Sequence, residues 1–379
     1  MIIGIDASRA NKEKKTGTEW YSYFLIQELK KIDQKNNYLL YTNSPLKNGL
    51  EECPNNFSEK LLSWPPLRLW TQIRLSYEMS KRPTDLLFVP AHALPLIHPK
   101  KSIVTIHDIG YERFPKLYRK IDIWYHRFVV KFAAKYASKI ITISEFSKKE
   151  ICDFYKIPKE KVKVIYNGFD KRDYKVISDK TAISKELQKY KINQPYLFFI
   201  GRLEEKKNIN NLLLAFEKFL YHKPNYQLVL VGRPGFGYEK FLKTIAEKKL
   251  ESKVIMLGWL EQKEIPLLLS GAEIFVFPSL YEGFGIPVLE AMASGVPVCC
   301  SNAASLPEVA GDSALLFDPH SVDDIYGKLL YLSNNKLLQF NLKQKGLERV
   351  KFFSWEKCAK ETLEVFENEN PKALNQKNK

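Results

Sequence analysis

The chain has 379 residues, more than a single hydrophobic core usually serves, and is 45% hydrophobic and 13% aromatic, which excludes a disordered chain and implies two domains of roughly 150 to 200 residues. The formal charge of +16 is uneven: residues 1–185 hold 34 Lys and Arg against 20 Asp and Glu, and residues 186–379 hold 25 against 23. The basic half suits an anionic partner such as nucleic acid, a phospholipid surface or a phosphorylated substrate, with lysine-rich composition bias as the plain alternative.

Five cysteines without CxxC spacing argue against a disulfide or zinc framework and fit reduced thiols in the cytoplasm. No signal peptide is expected before the opening strand, and no apolar run reaches the roughly 20 residues of a spanning helix, so any membrane contact is expected to be peripheral.

Strand-like and helix-like segments alternate along the chain. Residues 2–6 read as a strand, 19–31 as an amphipathic helix, 38–42 as a strand and 69–79 as a helix. Short β-branched or apolar runs follow at 86–89, 103–106, 140–143 and 162–165, with helices over 123–136 and 145–155. A polar, lysine-rich stretch at 170–190 interrupts the pattern. It then restarts with strands at 196–200, 228–231, 254–257 and 274–277 and helices at 209–220, 238–248 and 262–269. Beyond a glycine-rich bend come a strand at 296–299, a helix near 306–309, a strand at 314–317 and helices from 322 onward. Such alternation implies parallel sheets with crossover helices, twice over: an α/β chain of two Rossmann-like, doubly wound domains facing across a cleft, at 1–185 and 186–355. The tail after Asn368 reads as frayed.

The segment Glu282-Gly283-Phe284-Gly285-Ile286-Pro287-Val288-Leu289-Glu290 sets two carboxylates eight positions apart after the apolar run 272–278. Pro287 fits the first turn of a helix, so strand, bend and helix follow in order. Gly283 and Gly285 permit dihedrals closed to other residues and let the amides of the bend face a ligand at the positive helix end. Glu282 then lies in the bend and Glu290 about two turns into the helix, so the two can reach different parts of one extended ligand. A carboxylate accepts paired hydroxyls well, such as those of a ribose or hexose. The plain alternative is that Gly and Pro only end a strand and Glu290 is a solvated helix residue.

The run Gly201-Arg202-Leu203-Glu204-Glu205-Lys206-Lys207-Asn208 follows directly on a strand, where open α/β sheets bind ligands. Arg202 and Lys207 can neutralise a diphosphate without a metal, and no Asp-x-Asp triplet occurs in the chain to supply a metal clamp. Read alone, the two are equally surface charges beside a helix start. Gly17-Thr18 precedes a helix as another anion-facing turn. His107-Asp108 ends a strand and offers an imidazole beside a carboxylate, or else a structural histidine and a turn cap. Leu257-Gly258-Trp259 closes a further strand, where the backbone can contact a nucleobase and Trp259 can stack or simply pack.

In their order and spacing these segments resemble the retaining family-4 glycosyltransferases of the GT-B fold. The resemblance covers nearly the whole chain. It takes in Gly17-Thr18, VTIHD ending at Asp108, ITISEFSKKEI from Ile141, VIYNGFD ending at Asp170 and IGRLEEKKNINNLL from Ile200. It continues through VIMLGWL from Val254, the paired-glutamate segment, LPEVAGDSALLFDP ending at Pro319 and FSWEKCA ending at Ala359. The amino-terminal half resembles bacterial polysaccharide mannosyltransferases. One departure is that the family's amino-terminal glycine pair is Gly17-Thr18 here.

The resemblance implies that 1–185 binds the acceptor, that 186–355 binds the nucleotide sugar, and that a helix at about 356–370 packs back on the first domain. It implies that Arg202 and Lys207 hold the donor diphosphate, Glu290 the ribose hydroxyls and Glu282 the transferred sugar. The amides of Phe284, Gly285 and Ile286 would hold sugar hydroxyls, and His107 would lie over the anomeric centre. Gly17, Thr18, Gly201, Leu257, Gly258 and Gly283 complete the donor site. The implied reaction is retaining transfer of a hexose, with mannose as the preferred reading, from a GDP- or UDP-linked sugar to a glycan or lipid-linked acceptor in cell-surface polysaccharide synthesis.

His107, Glu282, Arg202 and Lys207 are the expected catalytic set, with His107 positioning more than acting as a base. No cofactor, metal or nucleic acid is expected, and the protein is expected in the cytoplasm, peripheral at the inner face of an anionic membrane. Three other classes stand beside this reading. A nucleotide-sugar epimerase would rearrange the donor without an acceptor, and a phosphorylase-type enzyme would need a lysine-bound pyridoxal cofactor. A nucleic-acid binder would explain the basic half but leave the second-half motifs idle.

Overall fold

The computed structural model describes residues 1–64, 69–193 and 195–369 and divides into two units, Met1–Gly168 with the segment from Ser354 onward, and Phe169–Phe353. Of the tail expected to fray, 370–379 lies outside the described residues.

In the first unit, β1 (Ile2–Asp6) is followed by α1 (Gly17–Ile32), β2 (Asn37–Thr42), β3 (Phe57–Leu61) and α2 (Ser76–Lys81). Then come β4 (Leu86–Val89), β5 (Ser102–Thr105), α3 (Gly110–Arg113), α4 (Lys120–Tyr136), β6 (Lys139–Thr142), α5 (Glu145–Tyr155) and β7 (Val162–Val164). The second unit runs α6 (Lys180–Lys189), β8 (Tyr196–Ile200), α7 (Ile209–His222), β9 (Gln227–Val231), α8 (Tyr238–Glu247), β10 (Val254–Gly258), α9 (Ile265–Ser270) and β11 (Ile274–Phe277). It closes with α10 (Ile286–Ala293), β12 (Val298–Ser301), α11 (Leu306–Ala310), β13 (Ala314–Phe317), α12 (Val322–Asn334) and α13 (Lys336–Arg349), after which α14 (Trp355–Asn368) returns to the first unit.

Both sheets are parallel, ordered β3-β2-β1-β4-β5-β6-β7 and β10-β9-β8-β11-β12-β13. Each therefore carries the doubly wound order in which the chain starts in the middle, winds one way, and then reverses. A parallel sheet covered on both faces needs strands that are apolar throughout rather than alternating, and LLFV of β4 and IFVF of β11 are buried at every position. Each unit is thus a Rossmann-like domain, as expected.

One strand was not expected from the sequence, and two local expectations are corrected. The edge strand β3 (FSEKL) shows its middle residues to solvent and so lacks the apolar signature of a buried strand. The helix expected over 69–79 is a π-helical turn at Thr71–Leu75 running into α2. The lysine-rich stretch contains α6, whose start is capped by the Asp179 carboxylate accepting the amides of Thr181 and Ala182. That helix packs on α9, and Tyr174 buries itself in the second unit. Residues 169–185, expected in the first domain, consequently belong to the second.

The helix expected near 356–370 is α14, with Ser354 as its cap. Trp355 stacks on Phe24 of α1 at 5.3 Å and meets Tyr21 edge-on at 6.0 Å, while Phe366 packs on Phe88 of β4 at 5.1 Å. Gly168 permits the chain to cross this helix start: a Cβ there would stand 2.1 Å from the Trp355 amide nitrogen. Trp355→Ala is expected to cost about 3–5 kcal/mol, read as a lowered urea midpoint; an unchanged midpoint would show that α14 does not complete the first core.

Candidate functional site

In the second sheet the strand order reverses between β8 and β11, and ligands of open α/β sheets bind outside the carboxyl ends of the strands at such a point. The loop after β8 starts at Gly201, ends in a 3-10 turn at Glu205–Lys207 and enters α7 through Asn208. Asn208 has a left-handed φ of 59°, and its side-chain amide donates to the Pro319 carbonyl at 2.6 Å. The loop after β11 ends at Gly285, which precedes α10 with φ of 111°; a Cβ there would also stand 2.7 Å from Leu306 Cδ2. The Ser305 hydroxyl lies 2.9 Å from the Glu282 carbonyl and 2.8 Å from that of Phe284, and the Leu280 amide donates to the Lys206 carbonyl at 2.8 Å. These bonds fix the β11 loop in shape and tie it to the β8 loop.

Lys207 and Glu282 meet there as an ion pair, each side chain only 13% exposed, with the ammonium also 5.3 Å from the centre of the Phe277 ring. Arg202 sits differently. Its side chain is 64% exposed, and its only close carboxylate among the described residues is that of Glu204, at 3.6 Å. One cation is thus held in place, while the other keeps most of its surface in solvent.

Glu290 lies on α10, half-buried, with its carboxyl hydrogen-bonded to the Tyr174 hydroxyl, which accepts from Gln262 Nε2 at 3.1 Å. Burial pushes the Glu290 carboxyl up to about 8; the Tyr174 bond opposes this, and Asp170 and Asp173 add to it. Without a ligand the group therefore holds its proton to higher pH than an ordinary carboxyl.

Leu257 falls where the pairing of β10 with β9 shifts register between Met256 and Gly258. The Gly258 carbonyl accepts the Gly232 amide at 2.7 Å, and the Arg233 guanidinium stands 5.1 Å over the Trp259 ring. The loop after β9, VGRPGFG, was not singled out from the sequence. Gly232 has φ of 150°, and a Cβ there would stand 1.8 Å from the Gly201 carbonyl oxygen, so only glycine lets the two loops touch. The signal that could have found it is three glycines at the end of a buried strand.

In the first unit, Gly17 and Thr18 form the first turn of α1. A protein carboxylate occupies that end: Glu19 Oε2 accepts the Thr16 amide at 3.2 Å, and Oε1 lies 3.4 Å from both Arg9 and Lys12. His107 follows β5 and is buried, with its Nε2 2.9 Å from the Pro90 carbonyl. A carbonyl only accepts, so Nε2 carries the proton. Burial holds the imidazole below its ordinary pKa, which leaves a neutral ring with its lone pair on Nδ1. The Asp108 carboxylate accepts the Gly110 amide at 2.8 Å and caps the following turn.

Two further histidines missed in the sequence continue from this one: the His92 ring is 5.3 Å from His107 and 6.2 Å from His126. His92 is held at a left-handed φ of 47°. Burial first, then His107, pushes its pKa down to about 3, so it is neutral.

Gly201, Arg202, Lys207, Leu257, Gly258, Glu282, Gly283, Phe284 and Gly285 thus lie at strand ends and loops of the second unit, with Ile286 and Glu290 in the first two turns of α10, while in the first unit Gly17 and Thr18 start α1 and His107 follows β5.

Residues 16–173 match the model of glycosyltransferase family 4, and residues 179–349 match that of the glycosyl transferases group 1. The chain is 34% identical to an O-antigen chain mannosyltransferase B of Escherichia coli, over 70% of this chain and 70% of the relative. It is 29% identical to the O-antigen chain mannosyltransferase RfbU of Salmonella typhimurium, over 68% of this chain and 67% of the relative. In structure it is similar to Anabaena Alr3699/HepE in complex with UDP and glucose, with a TM-score of 0.75 and 20% identity over 97% of this chain and 99% of that one.

Glu290 makes stability depend on pH with a definite sign. Its folded pKa of about 8 exceeds the ordinary 4.5, so the folded state holds a proton that the unfolded state has lost between these values, and the contribution falls as pH rises through that window. The melting temperature of Glu290→Gln relative to the parent is expected to climb from about pH 5 to about pH 8. A constant difference across the window would place the group in water.

Proposed function

Because the chain belongs to the family-4 glycosyltransferases of the GT-B fold, we propose that it transfers a hexose with retention, from a nucleoside-diphosphate sugar to a glycan or lipid-linked acceptor in cell-surface polysaccharide synthesis. Mannose is the sugar favoured, because the relatives of both species bear mannosyltransferase names. A donor carrying GDP or UDP is consistent with the UDP bound in the Anabaena structure.

The observation that carries this reading is the Lys207–Glu282 pair at the point where the sheet order reverses. Breaking a donor leaves an anionic diphosphate and an electron-poor sugar carbon, so the largest help comes from cations fixed where the anion develops. In the ligand-free chain Glu282 holds the Lys207 ammonium; an arriving diphosphate would take over that ammonium and leave the carboxylate to the sugar hydroxyls. Arg202 adds a second cation from the solvent side, which makes a metal unnecessary in this proposal. Glu290, two turns along α10, would take the ribose diol as the ionised form, giving up its proton on binding. The neutral His107 offers Nδ1 as an acceptor for a sugar hydroxyl, a positioning task rather than general-base catalysis.

A panel of GDP, UDP and their sugars tests the donor, since a ligand that prefers the folded protein raises its melting temperature. Magnetic resonance of the product tests retention of the anomeric configuration. Arg202→Ala is expected to lower kcat about 10²–10³-fold with an unchanged melting temperature. Lys207→Ala should lose similar activity and also about 1–3 kcal/mol of stability, as Glu282 is left unpaired. Turnover should survive chelators. Normal turnover in Arg202→Ala, or its loss in EDTA, would overturn the paired-cation mechanism.

A further inference from the structure

We propose that Tyr174, oriented by Gln262, is the positioning residue that aims the Glu290 carboxylate at the ribose of the donor; the inference rests on the reading above, in which Glu290 takes the ribose diol. The three residues come from separate places in the second unit: Tyr174 from the segment before α6, Gln262 from the turn between β10 and α9, and Glu290 from the second turn of α10. The segment before α6 is tied into a turn. The Tyr174 amide donates to the Asp170 carbonyl at 2.9 Å, and the Asp170 carboxylate accepts the Arg172 amide at 3.0 Å and its guanidinium through Nε at 3.0 Å and Nη2 at 2.8 Å. Tyr174 is carried inwards and is 3% exposed, so it reaches a ligand only through Glu290, which is half-buried and keeps part of its surface open.

The direction of each bond follows from the groups. A side-chain amide nitrogen only donates, so at 3.1 Å from Gln262 Nε2 the Tyr174 oxygen accepts, and its single proton is left for the Glu290 carboxyl. A hydroxyl donor favours a carboxylate over a carboxylic acid, and a ribose diol, which brings two further donors, needs the same form. Burial works against that form, as do Asp170 and Asp173; the Tyr174 bond works for it. Of the other elements packed against α10, α11 carries Glu308, β12 the buried thiols of Cys299 and Cys300, and α13 Lys343, which lies over Gly295 past the helix end.

Packing alone does not call for this arrangement. A tyrosine that only filled the core would have its hydroxyl satisfied by Gln262, and a glutamate that only served α10 would face water. Here the carboxyl stands beside two aspartates and away from bulk solvent, which costs stability and marks a ligand site. A glutamate must also freeze its side-chain torsions to meet a ligand. A bond from a buried phenol that is itself held by Gln262 freezes them beforehand, so less affinity is lost on binding.

The test is calorimetric titration of the full chain with GDP and UDP and with their 2′,3′-dideoxy forms, from about pH 6 to about pH 9. The parent is expected to bind the ribose form of its preferred nucleotide more tightly than the dideoxy form, with an affinity that rises through about pH 8 as Glu290 ionises. Tyr174→Phe is expected to weaken the ribose form about ten- to a hundredfold, to leave the dideoxy form unchanged, and to move the midpoint of the pH dependence upward, because the carboxylate has lost its donor. Gln262→Leu should give a smaller loss of the same kind, and it decides alone if Tyr174→Phe does not fold. Equal weakening of the ribose and dideoxy forms would make Tyr174 a packing residue and overturn the proposal, as would ribose binding unchanged in both variants or a parent that binds both forms alike. If neither nucleotide binds the parent, the donor reading fails and this inference with it; if nucleotides bind and the variants match the parent, the donor reading stands and only the role of Tyr174 falls.

Discussion

Two parallel strands that send the chain to opposite sides of a sheet leave a gap between the loops that follow them, and in the second unit Lys207 and Glu282 fill it as an ion pair. The pair is largely withdrawn from water, which makes each charge costly without the other and holds both at fixed positions. Around it the backbone is tied off. Ser305 holds the bend of the β11 loop, Asn208 holds the β8 loop to Pro319, and Gly232 admits the third loop against Gly201. The loops after β8, β9 and β11 are thus held in place in the bare protein, with one cation locked and a second, Arg202, in solvent.

Much of this could be read from the residues themselves. Strands buried on both faces announce themselves as unbroken apolar runs, and glycine with proline marks where such runs stop, so LLFV, YLFFI and IFVF and the bends after the last two were legible. The reverse holds where the pattern is diluted. FSEKL is an edge strand with only one well-buried position, and α6 owes its place to packing on α9 and to its Asp179 cap rather than to any strong apolar stripe.

At the site, the residue types were visible but their company was not. That Lys207 and Glu282, assigned to different parts of a donor, hold each other when no donor is present follows only from the sheet order. Nor does the sequence say that Glu19 caps the helix at Gly17-Thr18, that Tyr174 covers Glu290, or that His92 stands between His107 and His126 in a chain of rings. Each is a meeting of residues far apart in the chain or a competition decided by three-dimensional neighbours.

The return of α14 to the first unit has a bearing on how the protein is made. Trp355 and Phe366 supply partners for Phe24, Tyr21 and Phe88, all of which leave the ribosome some hundreds of residues earlier. Until the final helix emerges, those aromatic rings lack the cover that completes their core, while Phe169–Phe353 has every strand of its own sheet already in hand. The part synthesised first is therefore finished last, and during translation its unfinished surface is the stretch on which a chaperone would act.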